Sequence, residues 1–304
     1  MKSWKAELSL FAVTFLWGAT FLCTKIGLDD CPASLYIVFR FAIALIISLF
    51  AFRKHLNNID KSTLIHGLIL GLFLGGGFLF QTFGLKYTTV SKSAFITGMS
   101  VVFTPFVYWF IEKNKIFIWQ KVGVVIATLG LWLFTNPQFD NINLGDFLTL
   151  MSTFFWAYYI CYMDVFTRGR DSFHETSQLV IFQLSVASIV ALLYFLIFEV
   201  SSFSVRFSNT LLLTLAFNGI GASFFSTVIH TSIQRYTTPV KAVLIFALEP
   251  VIASYIAVLF INESLSSLEF IGAVVLFLGV LVSELGVFLF KINIFILKLL
   301  KKID

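Results

Sequence analysis

Residues 87–92 read YTTVSK, and residues 236–241 read YTTPVK. The tyrosine, both threonines and the lysine recur at a fixed offset of 149 residues. Further along, Gly123 and Gly130 return as Gly272 and Gly279 at the same offset. Just before it, Gln81 returns as His230. Near the start of each half the offset is 139, where Trp17 aligns with Trp156 after FL in one copy and FF in the other. Ordered matches of this kind point to an internal duplication.

Both copies lie in a strongly apolar chain. Of 304 residues, 59% are hydrophobic and 12% charged, and the mean hydropathy is +0.94. Soluble domains carry about 25% charged residues. Half that density cannot cover a globular surface, so the surrounding solvent is lipid. A soluble enzyme, a coiled coil, a disordered chain and a cysteine-rich secreted domain all fit poorly. Cys23, Cys31 and Cys161 form no disulfide framework and read as small buried hydrophobes. The net charge of +5 sits in short loops between apolar runs, which reflects orientation in a bilayer rather than nucleic-acid binding.

A helix crosses the hydrocarbon in about 20 residues. Ten segments meet that length: 8–27, 33–52, 64–84, 93–111, 117–135, 144–164, 176–198, 210–232, 240–260 and 268–290. The expected fold is an all-α membrane protein of ten transmembrane helices, formed by two inverted five-helix repeats. The first repeat occupies 1–138 and the second 139–290, with a basic tail at 291–304 that either continues the last helix or forms a charged stub. Five spans per half is an odd number, so the second half enters the membrane from the opposite face. With the N-terminus inside, sixteen of the 21 Lys and Arg residues fall on the inner side and four on the outer. Both termini are then cytoplasmic. The short loops and the absence of a cleavable leader make a bacterial inner membrane the expected location, with an organelle as the alternative.

Charged groups at membrane depth are costly unless paired, hydrated or snorkelled. Arg40 sits in the middle of span two and needs a wet cavity, a carboxylate or a substrate. Glu249 sits mid-span, followed by Pro250, which removes a backbone donor and frees a carbonyl one turn back. It is a candidate for binding a proton or a cationic group, or for a structural ion pair. Pro105 is a comparable interruption of span four, and both prolines are expected to kink their helices. Gln81 and Gln183 add polar groups to spans three and seven, and His230 to span eight. Trp17, Phe21, Trp156 and Tyr159 make the first span of each half aromatic, either as packing core or as walls of a pocket. Lys92 and Lys241 share a repeat position and are candidates for gating or loop contacts, with head-group anchoring as the plainer reading. Lys25, near the end of span one, reads as snorkelling to the outer surface.

No GxxxxGK[ST] loop, HExxH stretch or zinc-ligand spacing occurs. No metal and no cofactor are expected.

In these residues the chain resembles the EamA-type members of the drug/metabolite transporter superfamily. The resemblance is carried by FLWGATF at 15–21, Arg40, and GLKYTTVSKSAFITGMSVVFTP at 84–105. It continues through YTTPVKAVLIFALEP at 236–250, FINE at 260–263 and the paired glycines of IGAVVLFLG at 271–279. The first half departs from the pattern, with Thr104-Pro105 where the second has Glu249-Pro250. The resemblance implies a central cavity lined by helices of both halves, with spans five and ten more peripheral.

The expected function is secondary active or exchange transport of a small polar metabolite, an amino acid or related carboxylate or amine being favoured. Two opposed bundles of similar build have two nearly equivalent arrangements, which is the basis of alternating access. The partners would be a small-molecule substrate, the bilayer, and a coupling proton or counter-substrate. The competing readings are a membrane-embedded enzyme or a ligand sensor using the same cavity, and a structural membrane subunit.

Overall fold

The computed structural model describes residues 3–113, 116–135, 143–170, 172–201, 203–261 and 266–300. Every regular element among them is helical. In the first half, α1 (Ser3–Gly27), α2 (Ala33–Ala51) and α3 (Lys61–Tyr87) are followed by α4 (Val90–Gly98), α5 (Ser100–Glu112) and α6 (Ile118–Thr135). In the second, α7 (Leu144–Thr167) and α8 (Phe173–Tyr194) precede α9 (Asn209–Ala216) and α10 (Ser226–Ile233). Next come α11 (Pro239–Phe246), α12 (Glu249–Ile261) and α13 (Ser267–Leu300). A nine-residue π-helical stretch, Phe217–Phe225, joins α9 to α10 in one continuous rod. The boundary expected at 138/139 and the last four residues of the tail lie outside the described residues.

The starts of the helices are set by polar side chains that accept otherwise orphaned N–H groups. Asp60 caps α3, Thr89 caps α4, Ser172 caps α8 and Thr238 caps α11. Asn143 and Asp146 form a reciprocal capping box on α7.

Among the described residues, seven helical segments are long and apolar enough to cross a membrane, rather than the ten expected. They are Trp4–Gly27, Ala33–Ala51, Lys61–Tyr87, Val90–Glu112, Phe173–Glu199, Asn209–Tyr236 and Pro239–Phe260. The protein is therefore a multi-pass membrane protein. The other three expected spans fall on α6, α7 and α13. In α6 and α13 the apolar stretches, Ile118–Leu133 and Phe270–Ser283, are shorter. α7 is long enough, but Asp146, Thr149, Ser152, Thr153, Asp164 and Thr167 dilute its apolar character. All six are buried inside the protein, where lipid does not meet them.

Close backbone approach holds the helices together, as expected where burial from water supplies little drive. Gly75 of α3 lies against Ala187 of α8, and a Cβ there would come within 3.0 Å of its Cα. Gly84 of α3 meets Gly145 of α7, where a Cβ would stand 2.8 Å from the Gly145 carbonyl oxygen. α6 and α13 touch in the same way: a Cβ on Gly123 would lie 2.7 Å from the carbonyl oxygen of Gly279.

Spans four and nine are each broken at mid-length. α4 stops at Gly98 and α5 restarts at Ser100, while α11 stops at Phe246 and α12 restarts at Glu249. Met99 and Leu248, at the two breaks, are 149 residues apart. The break before Pro250 falls where the sequence expects a kink. The break in span four does not fall at Pro105, which lies inside α5. It falls at Met99, just after Gly98, where a Cβ would come 3.1 Å from the Pro250 ring, so the two interrupted helices meet with a glycine at the contact.

Candidate functional site

Between the two breaks lies a narrow cavity of about 30 Å³. That is room for a water or two and far less than a metabolite needs. α1 contributes Trp17, Thr20 and Phe21, and α3 contributes Phe78 and Gln81. The break in span four contributes Thr97, Gly98 and Ser100. α7 supplies Trp156 and Ile160, and the break in span nine supplies Phe246 and Glu249.

The walls are aromatic. Trp17 stands 6.1 Å from Trp156 and 4.9 Å from Phe246, centroid to centroid. Phe78 meets Trp156 edge-on at 4.9 Å. The indole N–H of Trp17 donates to the Ala222 carbonyl at 3.0 Å, in the π-helical stretch. The indole N–H of Trp156 is buried without a hydrogen-bond partner among the described residues. Gln81 donates to the Thr97 hydroxyl at 3.1 Å, so one polar lining residue orients another.

Glu249 is the one acidic residue of the lining. It is buried at the N-terminus of α12, a position that favours negative charge. Its carboxylate makes no ion pair or hydrogen bond among the described residues.

The structure brings Trp17, Phe21, Gln81, Trp156 and Glu249 together at the cavity wall. It places Tyr159, Gln183 and His230 behind that wall. There Tyr159 donates to Gln183 at 2.8 Å, and Gln183 donates to the Thr231 hydroxyl at 2.9 Å. His230 bonds Gln234 at 2.9 Å through Nε2 and sets its ring edge-on to Trp17 at 5.7 Å. Arg40 does not reach the wall. Its guanidinium lies 4.2 Å from the Phe78 ring centre, so Phe78 lines the cavity and also faces the charge. Nε of Arg40 donates to the Ser223 hydroxyl at 2.6 Å, and one terminal nitrogen has no hydrogen bond among the described residues.

Thr20, Phe78, Thr97, Ser100 and Phe246 were not singled out from sequence. For most of them the repeat itself carried the signal. Offset 149 pairs Thr97 with Phe246 and Ser100 with Glu249, and offset 139 pairs Phe21 with Ile160. Each of those pairs lines the cavity from both halves.

Lys92 and Lys241 lie away from the cavity, each in an ion pair. Lys92 meets Asp146 at 2.6 Å and Lys241 meets Glu7 at 2.9 Å. Lys25 has protein partners that the sequence does not show. Its ammonium donates to the carbonyls of Leu85 at 2.7 Å and Thr88 at 2.9 Å, at the C-terminal end of α3. Those carbonyls have no helical N–H to accept from, and an ammonium satisfies them.

A model of the EamA-like transporter family matches residues 4–136 and again residues 143–285. The chain belongs to the EamA-like transporter family. It is thereby a transporter of the drug/metabolite superfamily and not an enzyme. No group of three or more metal-ligating side chains occurs among the described residues.

An uncharacterized transporter of Archaeoglobus fulgidus is 28% identical over 271 residues, covering 89% of this chain and 83% of its own. The uncharacterized transporter YoaV of Bacillus subtilis is 23% identical over 280 residues, covering 90% and 94%. A protein of Escherichia coli described as a probable amino-acid metabolite efflux pump is 25% identical over 283 residues, covering 87% and 89%. A solved crystal structure shares the fold with a TM-score of 0.74 at 19% identity, covering 94% of this chain and 98% of that one.

Proposed function

We propose that the protein is a secondary active or exchange transporter that moves a small polar metabolite bearing an amine through the central cavity by alternating access. The observation that carries this reading is Glu249. A buried carboxylate with no partner among the described residues, beside the rings of Trp17, Trp156 and Phe246, is the arrangement that suits an ammonium group. Opposite charge comes from the carboxylate, and the negative ring faces add to it. An amino acid or related amine fits this chemistry, and the printed description of the Escherichia coli relative supports the same class.

The opposed arrangement of the halves 1–138 and 139–290, with ten spans in all, is part of the proposal. Two matches to one family model, end to end, support the duplication. Opposition is supported by α1: Lys241 reaches Glu7 near its start, while Lys25 near its end reaches α3 just before Lys92. A cavity too small for a metabolite supports a closed arrangement that must open for the substrate to pass. The excess of Lys and Arg on one side supports cytoplasmic termini, a basic tail at 291–304 on that side, and a cell-membrane location. A proton or counter-substrate would be the coupling partner.

Purified protein in sealed proteoliposomes, offered a panel of radiolabelled amino acids, amines and carboxylates, tests the reading. Saturable flux of amine-bearing members is expected. Folded protein that carries none of them would overturn it.

A further inference from the structure

The two lysines of the repeated YTT motif are tied in a matched way. Lys92 begins α4 in the first half, and its ammonium binds Asp146 at the start of α7 in the second half at 2.6 Å. Lys241 begins α11 in the second half, and its ammonium binds Glu7 near the start of α1 in the first half at 2.9 Å. Lys92 and Lys241 are 149 residues apart, and Glu7 and Asp146 are 139 apart. These are the same two offsets that relate the rest of the repeat. The threonines that cap the two helices match as well: Thr89 accepts from the Lys92 backbone N–H at 3.2 Å, and Thr238 from that of Lys241 at 3.3 Å.

The two ties sit at opposite ends of the molecule. Glu7 is near the start of α1, and Lys25, eighteen residues on, touches the Leu85 and Thr88 carbonyls beside the Lys92 tie. Eighteen residues of helix span about 27 Å, close to the thickness of the hydrocarbon. Each tie joins the fourth span of one half to the first span of the other. α1 and α7 carry Trp17 and Trp156 at the cavity, and α4 and α11 run directly into the two helix breaks. Opening either mouth of the cavity by moving one half against the other has to part these elements.

We propose that Lys92–Asp146 and Lys241–Glu7 are a pair of alternating latches, one for each mouth of the cavity, and that transport breaks one while keeping the other. The proposal rests on the alternating-access reading above and adds Glu7 and Asp146 as positioning residues for it. Both latches are closed in this structure, in keeping with a cavity of about 30 Å³. A partly screened ion pair suits the task, because it holds a closed arrangement without making it permanent. The Lys241 pair has both side chains at less than a fifth exposed, whereas Lys92 is a third exposed, so the two latches are matched in position and unequal in shielding.

Access to a single cysteine at the cavity tests this without knowing the substrate. The full-length chain, with its three native cysteines replaced, carries Ser100→Cys as a reporter. A membrane-impermeant methanethiosulfonate reagent is applied to right-side-out and inside-out vesicles. Glu7→Gln is expected to speed labelling about fivefold, the scale of losing a partly screened ion pair, from the face that bears Lys241. Asp146→Asn is expected to do so from the other face. Reversing one pair, Lys241→Glu with Glu7→Lys, is expected to restore the parent rate. Gel filtration of each variant reports that it is folded. Gains from the same face in both variants overturn the proposal, and so does a reversed pair that stays fast. If the parent is labelled from both faces and neither variant changes the rates, the latches fail and alternating access stands. If no variant is labelled from either face, the cavity does not open and both readings fail.

Discussion

Trp17 and Trp156 face each other at the cavity with ring centroids 6.1 Å apart, at the same position of the two halves, yet among the described residues only Trp17 has a partner for its indole N–H. A buried donor left unpaired costs about 1–3 kcal/mol. On the proposed function, the Trp156 N–H is the donor free to meet a substrate, while the Trp17 N–H ties α1 to the π-helical stretch. Trp17→Phe is expected to lower stability by about 1 kcal/mol. Trp156→Phe is expected to leave the melting temperature in detergent unchanged or raised while weakening substrate affinity. Thermal unfolding and flux measured on both variants check the contrast.

Glu249 gives a similar opposition between stability and function. An unpaired carboxylate inside the membrane opposes folding. Glu249→Gln keeps the shape and removes the charge. It is expected to hold or raise the melting temperature and to abolish flux of amine-bearing substrates. A variant that still transports amines at the parent rate would remove Glu249 from the site.

Arg40 depends on Ser223 for its one described hydrogen bond, at 2.6 Å. Ser223→Ala leaves the guanidinium without it and is expected to destabilise the protein by about 1–3 kcal/mol. Arg40→Met removes the charge and keeps the stem packed near Phe78, so its cost is expected to be the smaller. Denaturation of the two variants side by side gives the order.

Much of this site was legible because the chain repeats itself. Trp17 and Trp156 announced each other across 139 residues, and Glu249 stood out as a charge in an apolar run. Helix ends also read well: the second span, expected at 33–52, is Ala33–Ala51. The breaks in spans four and nine were less legible, because apolar patterning continues across them. Pro105 drew attention from Gly98, whose role depends on Pro250 far along the chain. The partners of Lys25 were hidden for the same reason, since they are carbonyls of another helix and carry no side-chain signature. α7 read as an ordinary span, and nothing local says that its polar residues all face inward.

Asp30, in the loop between α1 and α2, offers a pH test outside the membrane. The Ser208 hydroxyl and then the Arg206 guanidinium, which donates at 2.6 Å, hold its carboxyl below the usual carboxylate range. A lowered value means that this stabilisation is present above the ordinary carboxylate range, about pH 4, and fades as pH falls through the lowered value. Asp30→Asn is expected to melt below the parent at neutral pH and to converge with it on acidification. Melting curves between pH 3 and 7 check both ends.

Gly279 sits with its α-carbon against α6, where a Cβ would lie 2.6 Å from the Ala127 backbone nitrogen. Gly279→Val forces the two helices apart and is expected to cost about 1–3 kcal/mol. Thermal unfolding reads the loss, and Gly221→Ala, which meets nothing nearer than 3.7 Å, serves as a mild control.

The glycine seam between α6 and α13 has a mechanical consequence. At Gly123, Gly130 and Gly279 main chain comes up against main chain, leaving little flexible side chain between to shear or repack. A fulcrum needs that kind of stiffness, and this seam joins one helix from each matched half of the chain. On the proposed alternating-access reading, the halves would turn about this line, and α6 and α13 would move least.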